Sequence, residues 1–303
     1  MPMIGFIAPS IPLGLPAFGE ANRMSRVLIA GCGYVGAALG ERLIDASHEV
    51  WGLRRKPRSL PEGIEPIEGD LIESQRLDLP DGLDFVAYLA SPIGSEDAHY
   101  RRVYVDGVRA LIQALEDRAQ RPRLLLATST AVYGQTGGEW VDESSETVPR
   151  DFRGARLLEG ERIALGGALP ATVIRFGGIY GPRRTGLVDR VRAGSAVYRA
   201  DPPHYTNRIH RDDCAGALQH LMELEAPDSI YVAVDQEPAE ERIVLRWLAG
   251  ALGSTEPRSA RAGEGRSSPS NKRCRNDRLL RAGYIFRYPT FREGYRAVLE
   301  DLA

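Results

Sequence analysis

The chain has 303 residues, 43% of them apolar and 26% charged, with 39 basic and 41 acidic side chains and a formal charge of −2. This composition excludes disordered and fibrous classes, and the balanced charge excludes a global electrostatic pull towards nucleic acid or anionic lipid. No run approaches the roughly 18 consecutive apolar residues that a membrane span requires, which leaves a small-molecule substrate as the expected partner.

Residues 1–23 carry Pro2, Pro9, Pro12 and Pro16, a density that opposes both a continuous helix and a central strand. An unstructured extension is expected there, and without a basic segment ahead of its apolar part it does not read as a secretory signal. From Arg26 onward, short apolar strands alternate with helix-period segments. Strands are expected at 27–30, 48–53, 64–67, 85–90, 124–129, 172–176 and 230–234, and helices at 34–46, 97–117, 154–165 and 212–225. Strands separated by crossover helices imply a parallel, doubly wound sheet covered on both faces. The expected dinucleotide-binding domain covers 24–176 and is completed by about 207–234. A smaller substrate lobe takes 177–206 and 235–303. The stretch from Gly253 to Arg275, rich in Ser, Arg, Gly and Pro, reads as a loop or lid. Cys32, Cys214 and Cys274 lack paired or metal-ligand spacing, so reduced thiols, a cytoplasmic setting and no metal site are expected.

The strongest local signal is Gly31-Cys32-Gly33-Tyr34-Val35-Gly36, a G-x-G-x-x-G that follows the first strand and opens the first helix. Gly31 suits a tight turn, Gly33 a close approach of backbone to diphosphate, and Gly36 close packing of helix on strand. The amides at Tyr34 and Val35 begin a helix whose free N–H groups attract phosphate. A Rossmann-type nucleotide site follows. The second strand ends in Leu53-Arg54-Arg55-Lys56 rather than in a carboxylate. Cations at that corner suit the 2′-phosphate of NADP better than the free ribose of NAD, although a solvated turn would carry the same residues.

With these residues in view, the chain from about Ser25 onward resembles the short-chain dehydrogenase/reductase superfamily, in its extended and atypical, NAD-dependent epimerase/dehydratase-like branch. Further motifs carry the resemblance: Gly69-Asp70-Leu71, Leu89-Ala90-Ser91, Thr128 to Gly134, Arg175-Phe176-Gly177-Gly178-Ile179-Tyr180-Gly181-Pro182 and Ile209 to Asp213. The C-terminal run Asn271-Lys272-Arg273 and the segment 288–294 are similar to a YeeZ-like bacterial subgroup. The resemblance implies cofactor contacts from Asp70, Leu71, Leu89, Ala90, Ser91 and Phe176, with Asp70 near the adenine. It also implies Ser129 as the hydroxyl that orients substrate.

The resemblance further implies a Tyr-x-x-x-Lys pair, and this chain has none. Lys56 and Lys272 are its only lysines, and they follow Gly52 and Ser268 at the required spacing. The aligned segment is Phe152-Arg153-Gly154-Ala155-Arg156. Phe152 has no proton to give, and Arg156 stays charged, fit to hold a ribose or substrate but not to relay a proton. Tyr205 and His210 are the candidate replacement acids, with Asp212 and Asp213 placed to raise the pKa of His210. An Asp-capped helix start would explain the same residues without catalysis. Two readings remain: an NADP-dependent oxidoreductase or epimerase acting on a small, sugar-like carbonyl or hydroxyl compound, or a non-catalytic NADP(H) sensor. By analogy with the superfamily, a homodimer would pair the helices at 97–117 and 154–165.

Overall fold

The computed structural model describes residues 24–57, 60–261, 264 and 270–302, so the extension expected at 1–23 lies outside the described residues. Seven strands form the central sheet: β1 (Arg26–Ala30), β2 (Glu49–Arg54), β3 (Ile64–Glu68), β4 (Phe85–Tyr88), β5 (Arg123–Ser129), β6 (Ala171–Phe176) and β7 (Ile230–Ala233). They are all parallel, in the order β7-β6-β5-β4-β1-β2-β3. The order reverses between β1 and β4, and doubly wound sheets bind ligands at the carboxyl ends of the strands flanking such a switch.

The α-helices are α1 (Tyr34–Asp45), α2 (Asp97–Arg101), α3 (Val108–Glu116), α4 (Phe152–Gly166), α5 (Gly186–Arg192), α6 (Arg211–Glu223), α7 (Glu241–Leu252), α8 (Asp277–Arg281) and α9 (Phe291–Glu300). Alternation along β1 shows how they cover the sheet. Val27 and Ile29 pack with Leu39 and Leu43 of α1 and Leu218 and Leu221 of α6, whereas Leu28 and Ala30 pack with Leu111 and Leu115 of α3. A strand buried on both faces is apolar at every position, which is why Val27 to Ala30 read as an unbroken apolar run. No helix of the described residues is long and apolar enough to cross a membrane.

Two expectations about elements need correction. The helix expected at 97–117 is interrupted by a π-helical segment, Arg102–Gly107. The Tyr88 hydroxyl donates to the carbonyl of Val103 at 2.5 Å, and a Cβ on Gly107 would lie 2.5 Å from that hydroxyl. A side chain inserted into the helical ladder, beside the one residue small enough to admit it, accounts for the widened turn. The stretch 253–275 is not loop throughout. Arg258–Ser259 pairs with Val197–Tyr198, and Lys272–Cys274 pairs in parallel with Glu139–Val141.

A separate apolar cluster lies beyond the sheet. Val188 and Val191 of α5, Val244, Leu245 and Leu248 of α7, and Phe291, Tyr295 and Val298 of α9 are packed together in it with Tyr180 and Tyr198. Its last helix starts with a full capping box, Thr290 with Glu293. The three cysteines are buried and unpaired, and no group of residues suited to a metal ion occurs among the described residues.

Candidate active site

The turn from β1 into α1 is built from glycines that cannot be exchanged for one another. Gly31 has φ +88°, and a Cβ there would lie 2.5 Å from the backbone of Ala90. Gly36 is the close-packing glycine, since its Cβ would meet Ile29 Cγ2 at 2.9 Å. Gly33 differs from both: an added Cβ would find only the Gly31 carbonyl, at 3.8 Å, and would project into open space. That space over the first turn of α1 is a cradle of the kind that would take a diphosphate, and the residues present fit such a group.

The cradle opens into a cleft of about 1140 Å³ along the carboxyl ends of the strands. Gly31, Gly33, Tyr34, Val35, Arg54, Arg55, Asp70, Leu71, Leu89, Ala90, Ser91 and Phe176 all line it, whereas Gly36 lies behind it, under the helix. Arg54, Arg55 and Lys56, at and just past the end of β2, also line it, and none of them makes an ion pair among the described residues. Asp70 caps the 3₁₀ turn Leu71–Arg76 and pairs with Arg102 at 2.9 Å. Burial opposes its ionisation, but the hydrogen bonds from Arg102 and the Ile72 amide outweigh that and hold its carboxyl below the usual range. The Tyr34 hydroxyl donates to the Pro182 carbonyl at 2.8 Å, and Arg184 lies over its ring at 4.4 Å, so the glycine turn is tied directly to the segment after β6.

The residues of the opposite wall were not among the expected cofactor contacts. Arg102, Val103 and Tyr104 come from the π-helical segment and line the cleft with Ile93 and His99. Tyr104 is hydrogen-bonded to Ser91, and burial pushes its phenol up to about 12. The segment shows no motif, and its only signal was a helix period that continues through an irregular turn.

At its inner end the cleft reaches Ser129, which also lines a second cavity of about 270 Å³. Ser129 closes β5 and caps the 3₁₀ turn Thr130–Val132, its Oγ accepting from the Ala131 amide at 3.2 Å. A hydroxyl that accepts from the backbone still has its own proton to donate. Tyr205, Thr206, Asn207, Arg150 and Lys272 line the second cavity with it. Tyr205 is thus brought to the cavity that Ser129 lines, by the short Tyr205–Thr206 strand and by a hydrogen bond from its amide to Asn271 Oδ1 at 2.8 Å.

The remaining expected catalytic residues do not reach either cavity. Arg156 is held by Asp97 through paired contacts at 2.8 and 2.9 Å and by Glu159 at 2.9 Å, and these partners keep it charged. The expectation that it holds a ribose or substrate is corrected accordingly: its donors are committed to carboxylates on the outer side of α4. Phe152, at the aligned Tyr position, packs edge-on against Tyr100 at 5.6 Å. His210 is 1% exposed and caps α6, its Nδ1 accepting from the Asp212 amide at 3.2 Å. Its pKa is pushed down to about 4, not raised, because burial between Tyr180 and Tyr288 outweighs the attraction of Asp212. A neutral imidazole sealed from both cavities donates no proton to a substrate there.

Glycine turn, cleft and strand order together define a dinucleotide-binding α/β protein of the doubly wound class. Residues 27–232 match the model of the NAD dependent epimerase/dehydratase family, and the chain belongs to that family. Among solved structures, a protein from Methylobacillus flagellatus named for an NAD-dependent epimerase/dehydratase is 32% identical with a TM-score of 0.75, over 92% of this chain and 99% of that one. A 3-diazoavenalumate denitrifying reductase from Streptomyces is 27% identical over 259 residues, covering 77% of this chain and 84% of the reductase. A 3 beta-hydroxysteroid dehydrogenase/Delta 5-4-isomerase from Mycobacterium tuberculosis is 27% identical over 281 residues, covering 80% of this chain and 75% of the relative.

Proposed function

We propose that the chain is an NADP-preferring oxidoreductase acting on a small carbonyl or hydroxyl compound, with the cofactor in the larger cleft and the substrate in the smaller cavity. The observation that carries this reading is the position of Ser129, which lines both spaces and so stands where a nicotinamide and a substrate carbon would meet. The smaller cavity, at about 270 Å³, falls just below the roughly 300–1,000 Å³ usual for ligand pockets and suits a small substrate. The reductase and dehydrogenase activities named for the relatives support redox chemistry.

Bound NADPH would supply a hydride. The first turn of α1 would hold its diphosphate, and Arg54, Arg55 and Lys56 would hold its 2′-phosphate. Ser129 donates a hydrogen bond to the substrate oxygen and orients it, and Tyr205 supplies the one proton that is transferred. Correctly placed acid-base groups contribute about 10²–10⁴ in rate, so a chain without the Tyr-Lys pair retains hydride transfer at reduced speed.

The decisive experiment titrates the purified protein with NADP, NADPH and NAD, then follows NADPH absorbance against a panel of small aldehydes, ketones and hydroxy compounds. Binding without NADP preference would overturn the cofactor assignment. Binding without turnover would favour a nucleotide-sensing protein, a second reading motivated by Phe152 and Arg156, which the structure commits to contacts with α2.

A further inference from the structure

Lys272 has the most unusual environment of any cation in the described residues. It is 5% exposed, sits in the short strand Lys272–Cys274 and lines the smaller cavity. Alternation places Lys272 and Cys274 on one face of that strand, and Cys274 is hydrogen-bonded to Thr130, the neighbour of Ser129. The ammonium donates to Ser270 Oγ at 2.8 Å and has no carboxylate within ion-pair distance among the described residues.

The surroundings do not supply the missing charge. Asp151, the one carboxylate on the cavity wall, accepts from the Gly154 amide at 3.1 Å and lies 3.7 Å from Arg153. Arg150 and Arg153 add positive charge, and Tyr133 and Tyr205 bring phenols rather than carboxylates to the wall. Behind the wall, His204 is pushed down to about 4 by burial and by the charges of Arg199, Arg208 and Lys272. Burial likewise lowers the Lys272 amine from its ordinary range, with only the Cys274 thiol acting the other way. Buried charges in proteins are ordinarily paired or neutralised, and an anion entering this cavity would pair with the Lys272 ammonium and restore its charge.

We propose that the substrate of this chain is a small acid whose carboxylate or phosphate pairs with Lys272 inside the cavity, leaving its reacting carbon beside Ser129. The proposal rests on the oxidoreductase reading and narrows its substrate to anions. It also gives Lys272 a positioning role, distinct from the proton relay of a Tyr-x-x-x-Lys pair.

The chain contains only two lysines, so lysine labelled with ¹³C at Cε yields two signals, the second from Lys56, and Lys272→Arg identifies which is which. The full-length protein is titrated with lactate and benzoate, their neutral counterparts lactamide and benzamide, and inorganic phosphate, at constant ionic strength. The expected result is a Lys272 signal that moves on adding a carboxylate or phosphate, with its titration midpoint shifted upward, and that ignores the neutral amides. Response to carboxylates alone assigns an organic acid, and response to phosphate alone assigns a phosphorylated substrate. Lys272→Met should weaken binding of the responding anion at least tenfold, and Lys272→Arg should restore part of it. A signal unmoved by every anion, or moved equally by acids and amides, overturns the proposal even if Lys272→Met fails to fold. NADPH binding, followed separately by its fluorescence, reports on the oxidoreductase reading: loss of that binding with an intact anion response would refute the function and leave the anion site standing.

Discussion

Removing the charge of Glu161 should destabilise the protein more than any other single polar change near the site. Glu161 and Arg175 are 2% and 3% exposed and meet at 2.6 Å between α4 and β6. Thr128 donates to the same carboxylate at 2.7 Å, and Arg175 donates to the Tyr133 hydroxyl at 2.8 Å. Glu161→Gln keeps the shape and the acceptor for Thr128 but strands a guanidinium in the core. Burial alone favours the uncharged Arg175; in the intact protein its hydrogen bonds to Glu161 overcome this and hold its pKa above the ordinary value. Breaking a buried pair in this way costs about 3–5 kcal/mol. At an unfolding entropy of about 2.1 cal/mol/K per residue, a chain of this length loses roughly 5–8 °C of Tm. Replacing both partners by methionine removes the stranded charge, leaving mainly the unsatisfied Thr128 hydroxyl, and should return stability to within about 2 kcal/mol of the parent. Calorimetry on the three variants tests the reasoning. A Glu161→Gln protein melting within about 2 °C of the parent, or a double variant less stable than the single one, would refute it.

Three other outcomes are expected. Arg54→Glu should weaken NADP binding by about 10–100-fold, the value of a charge-assisted contact to phosphate, while NAD binding holds or improves, as read by fluorescence titration. Gly33→Ala should lose dinucleotide affinity with little change in Tm, because its Cβ enters the cradle, whereas Gly31→Ala should lose both, because its Cβ meets Ala90 at 2.5 Å in a left-handed conformation. Asp235 is pushed up to about 8 by burial, so the folded state keeps its proton where the unfolded state loses it. Stability is therefore lost as pH rises from about 4 to 8, and Asp235→Asn should remove on the order of 3–5 kcal/mol of that fall, measured as the difference in urea unfolding between pH 5 and pH 8.5.

What could be read from the sequence is what has a short period or a fixed spacing. The doubly wound sheet was legible because strands buried on both faces are apolar runs, and the cofactor cleft because Gly31, Gly33 and Gly36 serve three steric needs at fixed offsets. The corner of cations at Arg54 to Lys56 followed from where β2 ends. The substrate side was not legible in the same way, since its walls are two- and three-residue strands paired across long separations, such as Lys272–Cys274 with Glu139–Val141. Segments that short have no period to detect. Lys272 sat within a stretch whose Ser, Arg, Gly and Pro content suggested a loop, although pairing with a distant strand buries it. His210 misled for a different reason: adjacent carboxylates in sequence imply a raised pKa, but the sign is set by desolvation, which depends on Tyr180 and Tyr288 packing around the ring.

The two altered catalytic positions make sense as one structural change. Phe152 meets Tyr100 and Arg156 meets Asp97, so both lie one turn apart on the same face of α4 and both contact α2. Residues four apart on a helix share a face, so both positions turn to the same neighbouring helix. A phenol and an amine at these positions would each need a polar outlet towards the cofactor, whereas a benzene ring and a guanidinium find an aromatic edge and a bidentate carboxylate on α2 instead. The strand carrying Lys272 is laid against the cavity that Ser129 lines. With α4 turned to α2, the proposed anion site and the proposed proton donor both rest on elements outside α4, Lys272 and Tyr205 on the wall of the smaller cavity.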